Sequence, residues 1–199
     1  MEFEVESFSD DNVIISLYDG EVESNGIVSF DVSVNDVLAV AHKNGILEIC
    51  SSSGQFETAF TINSSGGNYY VSWYENKLWV YILRRNIAIC IDDVYSNNNT
   101  DYELYQIVDS TKNDEEWEQL FSRNEIQNNN TTYKMITTLP LSTQYDTIVK
   151  KSGNGKEEIC FSVRDDVLRN EIDALLFLSL LIAIGLCVSV LLFKAHKRK

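Results

Sequence analysis

Alternating apolar and polar residues, interrupted by turn signals, dominate the first half of the chain. From Val28 to Val34 every second residue is apolar, and the residues between them are serine or aspartate. This alternation predicts a β-strand with one buried face. The dipeptides Asp19-Gly20, Asn44-Gly45 and Ser53-Gly54 separate such runs. Asp19-Gly20 predicts a hairpin after Val13–Tyr18, and Asn44-Gly45 predicts a type I′ hairpin turn. The pattern therefore predicts a mainly β, antiparallel domain.

The same reasoning predicts twelve short strands and one short helix. The predicted strands are Val13–Tyr18, Val28–Val34, Val37–Ala41, Ile46–Ser51, Phe56–Ile62, Tyr69–Tyr74, Lys77–Leu83, Ile87–Asp92, Tyr102–Val108, Thr132–Thr138, Thr147–Lys151 and Glu157–Val163. The helix is predicted at Asn113–Arg123, because Asn113 can cap it and Glu116 follows three residues later. We expect a loop at Asn124–Thr132 and an insertion over residues 96–132.

An internal repeat organises these strands. Asn35–Cys50 aligns with Glu75–Cys90, with leucine, valine and an Ile-Cys pair at matching positions, and a third copy ends at Ile159-Cys160. A period near 40 residues with about four strands is the length of a β-propeller blade. Two or three blades are too few to close a ring. We therefore expect two to three blade-like antiparallel sheets in a short open stack or sandwich.

The stretch Ala174–Phe193 contains twenty residues without a charge. As a helix rising about 1.5 Å per residue it would span about 30 Å, the hydrocarbon thickness of a bilayer. A buried core helix is rarely apolar on all sides and followed by a basic tail. The sequence therefore predicts a single transmembrane helix at 174–193, after an acidic domain at 1–173 and before a basic tail at 194–199. The anchor is marked by Ala174, Leu180, Gly185 and Phe193, and the basic flank by Lys194, Lys197, Arg198 and Lys199.

Two rules disagree about the side of the membrane on which the domain lies. The N-terminal segment Met1–Asp11 is acidic and has no apolar core, so it is not a signal peptide. This favours a cytosolic domain with a tail anchor. The basic tail favours the opposite orientation by the positive-inside rule. We expect the cytosolic side, and the opposite orientation stays open.

Charge excludes one class of partner. The chain carries a net charge of -14, and because the basic tail contributes +4, residues 1–173 carry -18. Such a surface repels phosphate backbones, so we expect no nucleic-acid partner. The expected partners are the lipid bilayer and a protein.

The cysteine pattern predicts no metal site. Cys50, Cys90 and Cys160 lie in the domain and Cys187 lies in the apolar stretch, and no C-x-x-C pair occurs. We expect reduced, buried thiols that behave as small hydrophobic residues. One disulfide with one free thiol is the alternative for an exported domain.

The sequence contains no recognisable catalytic or cofactor motif. Only His42 could serve a nucleophilic triad within the domain, and it is expected to be an exposed turn histidine. No Gly-rich phosphate loop and no nucleophile elbow occur. The acidic pairs Asp92-Asp93 and Asp165-Asp166 lack the spacing of a calcium loop. We therefore predict no catalytic residue, no cofactor and no metal.

Several segments together resemble a known group of proteins. They are Phe30–Val40, Gly45–Ile49, Gly54-Gln55-Phe56, Phe60, Gly66-Gly67-Asn68-Tyr69-Tyr70, Leu78-Trp79-Val80-Tyr81 and Arg84. The chain resembles uncharacterised small membrane-anchored proteins of anaerobic Gram-positive bacteria with propeller-like repeats. The resemblance implies a β domain at a bacterial cell membrane and no particular activity.

These observations favour a tethered, non-enzymatic module that binds a protein or serves as an accessory subunit. The alternative is a membrane-bound hydrolase or carbohydrate-active protein that uses acidic residues at one rim. That alternative requires two carboxylates about 5–10 Å apart in one pocket.

Overall fold

The computed structural model describes residues 5–7, 15–95, 102–107, 123–140 and 142–196, and it consists mainly of short strands followed by one long helix. The strands are β1 (Val5–Ser7), β2 (Ile15–Leu17), β3 (Ile27–Val32), β4 (Leu38–His42), β5 (Ile46–Cys50), β6 (Phe56–Ile62), β7 (Tyr70–Tyr74), β8 (Lys77–Ile82), β9 (Ile87–Ile91), β10 (Tyr102–Ile107), β11 (Glu125–Asn128), β12 (Thr131–Ile136), β13 (Thr147–Ser152) and β14 (Glu157–Ser162). A 3₁₀ turn (Leu83–Arg85) separates β8 from β9, and one long helix, α1 (Arg164–His196), follows the last strand.

The strands form three antiparallel sheets, which confirms the predicted mainly β fold class. The central sheet has the order β2-β6-β5-β4-β3, the first outer sheet β1-β10-β9-β8-β7 and the second outer sheet β11-β12-β13-β14. Each sheet contains four strands that follow one another in sequence and pair as neighbours. The N-terminal strands β1 and β2 each add a fifth strand to one of the first two sheets.

The central sheet is buried on both faces. In β4, Ala39 and Ala41 face the first outer sheet, and Leu38 and Val40 face the second. Every residue of β4 and of β5 is buried. The two cores therefore meet at this sheet, and the three sheets form a stack with the central sheet in the middle.

Side chains of β3 cover the open edge of β7. The backbone N–H of Val71 donates to Ser29 Oγ at 3.3 Å, and that of Trp73 donates to Asp31 Oδ2 at 2.6 Å. These bonds satisfy donors that an edge strand otherwise offers to another chain. Burial raises the pKa of Asp31 above its ordinary value, although the N–H groups of Trp73 and Val32 oppose that shift.

Two strands were missed by the sequence analysis, and one predicted hairpin is wrong. β1 lies in the acidic N-terminal segment, and β11 lies where a loop was expected. Asp19-Gly20 does not join paired strands, because β2 pairs with β6. The predicted helix Asn113–Arg123 falls on residues outside the described part, apart from its last residue.

The turn at Asn44-Gly45 exists but is not of type I′. Only Gly45 has a positive φ, +86°, whereas a type I′ turn requires positive φ at both central residues. The β7–β8 turn meets that requirement, with φ of 51° at Glu75 and 63° at Asn76.

The 40-residue repeat holds for the strand order but loses register by one residue at both hairpins. Phe30 pairs with Val40, whereas Tyr70 pairs with Tyr81. Val40 pairs with Glu48, whereas Val80 pairs with Ile89, so the 3₁₀ turn adds one residue at the second hairpin. Ile49 and Ile89 both lie in the core between the central and first outer sheets. Because these two sheets face each other across that core, the two side chains point in opposite directions along the stack. The aligned Ile-Cys pairs are therefore not structurally equivalent.

Helix α1 contains the predicted transmembrane stretch and extends ten residues before it. The part of α1 from Arg164 to Ser189 is long and apolar enough to cross a membrane. Its most apolar stretch is not buried against the rest of the described protein. The first turns differ, because Val167 is buried in the core beside the second outer sheet. The predicted domain boundary at residue 173 therefore falls within a continuous helix.

A matched pair of glycines tests the contact between the central and second outer sheets. A Cβ at Gly54 (φ +77°) would lie 1.8 Å from the carbonyl oxygen of Cys160, whereas a Cβ at Gly66 (φ +76°) meets nothing within 4 Å. Both Gly→Ala changes carry the strain of positive φ, about 1–2 kcal/mol. We expect Gly54→Ala to lower the free energy of unfolding by at least about 3 kcal/mol, because the backbone must also move. Urea denaturation measures both, and equal losses would contradict this contact.

Candidate functional site

His42 lies at the end of β4 and is fully buried, so the expectation of an exposed turn histidine is wrong. Its backbone N–H donates to the hydroxyl of Tyr69 at 3.1 Å, and that hydroxyl donates to the carbonyl of Ile46. Its ring lies 5.9 Å from the ring of Phe161 on β14. His42 is therefore packed between strand β14 and the residue that precedes β7.

Both ring nitrogens of His42 have hydrogen-bond partners. Nδ1 lies 2.7 Å from Ser24 Oγ, and Nε2 lies 3.0 Å from Glu48 Oε2. Ser24 Oγ accepts the N–H of Gly26 at 3.1 Å, and its own proton has two acceptors within reach, Nδ1 of His42 and the carbonyl of Gly26 at 3.4 Å. With Nε2 directed at the carboxylate of Glu48, both ring nitrogens are held by the protein.

Glu48 is the charged member of this cluster. It lies on β5 and is only 7% exposed. Its second oxygen, Oε1, accepts the thiol of Cys50 at 3.3 Å. Burial and the neighbouring carboxylate of Glu48 raise the pKa of the Cys50 thiol well above its ordinary value, so the thiol stays protonated and unreactive.

The cluster is joined to the first turns of α1 through Ser24. The N–H of Ser24 donates to Asp166 Oδ2 at 3.1 Å, and Nδ2 of Asn170 donates to the carbonyl of Ser24 at 3.2 Å. A continuous chain of contacts thus runs from β5 through His42 and Ser24 to the helix.

A cavity of about 330 Å³ opens beside this cluster. It lies between β5, β14 and the start of α1, and Glu48 and Asp166 both line it. Val22, Ile159 and Phe161 supply apolar walls. The cavity therefore combines two carboxylates with an aliphatic and aromatic surface.

The arrangement Ser24–His42–Glu48 has the residue types of a hydrolytic triad but not the access. Ser24 is fully buried, and its oxygen already contacts Gly26 and His42. A nucleophile must reach a substrate carbonyl at about 3 Å. The cavity is lined by Glu48 and not by Ser24. The geometry therefore supports a structural polar network.

Asp146 is a second buried carboxylate, and it is saturated by the protein. It accepts the N–H groups of Thr138 and Leu139 and the hydroxyls of Thr138 and Thr147. Burial alone would raise its pKa, but these hydrogen bonds outweigh burial, so the pKa of Asp146 lies below its ordinary value. Asp146 fixes the segment between β12 and β13.

The cysteines agree with the prediction of free, buried thiols. Cys50, Cys90 and Cys160 are buried and unpaired, and Cys187 lies exposed on α1. Burial raises the pKa of Cys90 and of Cys160 to about 11. Within the described ranges no three His, Cys, Asp or Glu residues group as metal ligands.

The aromatic residues of the first outer sheet form packing contacts. The ring of Trp79 lies 6.4 Å from that of Tyr81 and 5.3 Å from that of Tyr105. Tyr70 and Tyr81 are buried. Aromatic pairs of this kind stabilise a sheet through cross-strand packing.

The predicted anchor residues lie along α1. Ala174, Leu180 and Gly185 are exposed on the helix, and Phe193 lies near its end. Lys194 belongs to α1, whereas Lys197, Arg198 and Lys199 lie outside the described residues. Ala174, Leu180 and Gly185 take no part in the buried cluster.

Sequence reasoning found His42 but missed its partners. Ser24 lies in a loop and Glu48 lies six residues beyond His42, with no spacing that signals a site. The sequence did contain one signal of a buried polar site. Glu48 is a charged residue inside the otherwise apolar run Ile46–Cys50.

No protein-family model matches the chain, and neither a curated protein nor a solved structure matches it.

A serine substitution tests the buried network. We expect Ser24→Ala to lower the free energy of unfolding by about 1–3 kcal/mol, because Nδ1 of His42 and the N–H of Gly26 lose their partner. Ser53→Ala, at an exposed turn, should change it by less than about 0.5 kcal/mol. Thermal unfolding followed by circular dichroism measures both, and equal effects would contradict a buried network.

Proposed function

We propose that the chain is a membrane-tethered, non-enzymatic β domain that binds a partner protein near the bilayer. The observation that carries this proposal is the continuity of α1 from the buried core into its apolar stretch. Asp166, Val167 and Asn170 fix the helix to the domain. A domain fixed in this way keeps one orientation relative to the bilayer, as a docking module requires.

The stack of three sheets supports a binding role in a second way. Its sequential four-strand units are of the kind found in propeller blades, and loops held by a rigid scaffold commonly carry binding residues. The proposal places the domain in the cytosol of a bacterial cell.

A hydrolase that uses acidic residues is the second candidate, because Glu48 and Asp166 line one cavity. Acid–base cleavage needs one of two carboxyl groups to carry a proton. Both groups instead accept hydrogen bonds from protein donors, namely His42, Cys50 and the N–H of Ser24. These carboxylate oxygens are thus already engaged within the protein, which favours the binding role.

Cross-linking from one engineered thiol tests both the partner and the side of the membrane. Ser53→Cys places a thiol on an exposed turn, whereas the three native thiols of the domain are buried. We expect a membrane-impermeant maleimide photo-cross-linker to join the variant to one protein in opened cells and to none in intact cells. The unsubstituted chain is the control.

Adducts in intact cells would reverse the orientation and leave the binding proposal standing. Absence of any adduct, together with a monodisperse monomer in detergent, would contradict the binding proposal.

A further inference from the structure

The carboxylate of Glu48 is buried and has only two hydrogen-bond donors in the part of the chain that the structure describes. Nε2 of His42 lies 3.0 Å from Oε2, and the thiol of Cys50 donates to Oε1 at 3.3 Å. A thiol is a weak donor, and a buried carboxylate is costly unless its oxygens are satisfied. The hydrogen-bonding capacity of Glu48 is therefore only partly used by the protein.

Asp146 shows how this chain compensates a buried carboxylate when no ligand is involved. Its two oxygens accept four hydrogen bonds from neighbouring backbone and hydroxyl groups. Glu48 accepts two, and it borders a cavity of about 330 Å³. The difference indicates that capacity for further donors remains on the cavity side of Glu48.

The other residues that line the cavity limit the charge and the shape of a ligand that can bind there. Asp166 provides a second carboxylate at the helix, so an anionic ligand is disfavoured. Val22, Ile159 and Val163 provide aliphatic surface, and Phe161 provides an aromatic ring that can contact a cation. With no group of three metal ligands in the described residues, a metal ion finds too few donors. An ammonium group on a short methylene chain matches both the charges and the walls.

We propose that the cavity lined by Glu48 and Asp166 binds the primary ammonium group of a linear aliphatic amine. The ammonium lies between the two carboxylates, and the methylene chain lies along Val22 and Ile159. The net charge of -18 on residues 1–173 raises the local concentration of such cations. A free diamine and a lysine side chain share this chemistry, and the site does not depend on the proposed partner protein.

Isothermal titration of the full chain in detergent micelles at low salt tests this site with two probes. Cadaverine represents a free diamine, and Nα-acetyl-lysine amide represents a lysine side chain. Nα,Nε-diacetyl-lysine amide, which has no charge, is the control ligand. Binding is then measured for Asp166→Asn, which keeps an oxygen acceptor for Ser24, and for Glu48→Gln.

Asp165→Asn is the matched control variant, because Asp165 is exposed, adjacent and not part of the cavity. We expect saturable binding of one amine per chain, at least about tenfold weaker in Asp166→Asn and in Glu48→Gln. Asp165→Asn should change affinity less than about twofold, and the diacetyl compound should not bind. If Glu48→Gln fails to fold, Asp166→Asn still decides the outcome.

The probe that binds with the higher affinity shows whether the site takes a free diamine or a lysine side chain. Absence of saturable binding by both amines would overturn the proposal. Equal weakening by Asp165→Asn and Asp166→Asn would also overturn it, because the binding would then be a diffuse effect of net charge.

Discussion

Burial of both faces of one sheet is the constraint on which the rest of this structure depends. The central sheet presents apolar side chains above and below, so it exposes a hydrophobic face if either outer sheet is missing. Ala39 and Leu47 face one neighbour, and Leu38 and Val40 face the other. This requirement explains why the chain builds three sheets.

His42 is the polar counterpart of that constraint. Its backbone contacts Tyr69 just before β7, its ring packs near Phe161 of β14, and its nitrogens contact Ser24 and Glu48. Through Ser24 the same cluster reaches α1. Because a buried polar group without partners is costly, these contacts favour one relative arrangement of sheets and helix. The orientation of α1 is thereby coupled to the packing of the core.

Most strands could be predicted from the sequence, because their patterns are local. Phe56–Ile62 was predicted with the bounds that the structure has, and the apolar stretch in α1 was found from length and charge. A local pattern does not reveal a strand whose pairing partner is distant in the sequence. β1 and β11 are polar strands that pair at sheet edges, and nothing within either segment signals its partner.

The candidate site could not be predicted for a related reason. His42 follows an apolar run and precedes a turn, a position that is exposed when a strand ends at a sheet edge. Here the loop carrying Ser24 contacts it, and that loop is held by Asp166 of α1, which is 142 residues from Ser24 in sequence. The one-residue shift of register after Leu83–Arg85 likewise depends on turn geometry that residue matching does not reveal.

Amide hydrogen exchange of the full chain in detergent micelles tests the double burial of the central sheet most directly. The account predicts that the amides of β4 and β5 exchange most slowly, and only through global unfolding, because both neighbouring sheets must separate first. Faster exchange in β4 and β5 than in β12 and β13 would contradict it, since the central sheet could then open while an outer sheet stays folded.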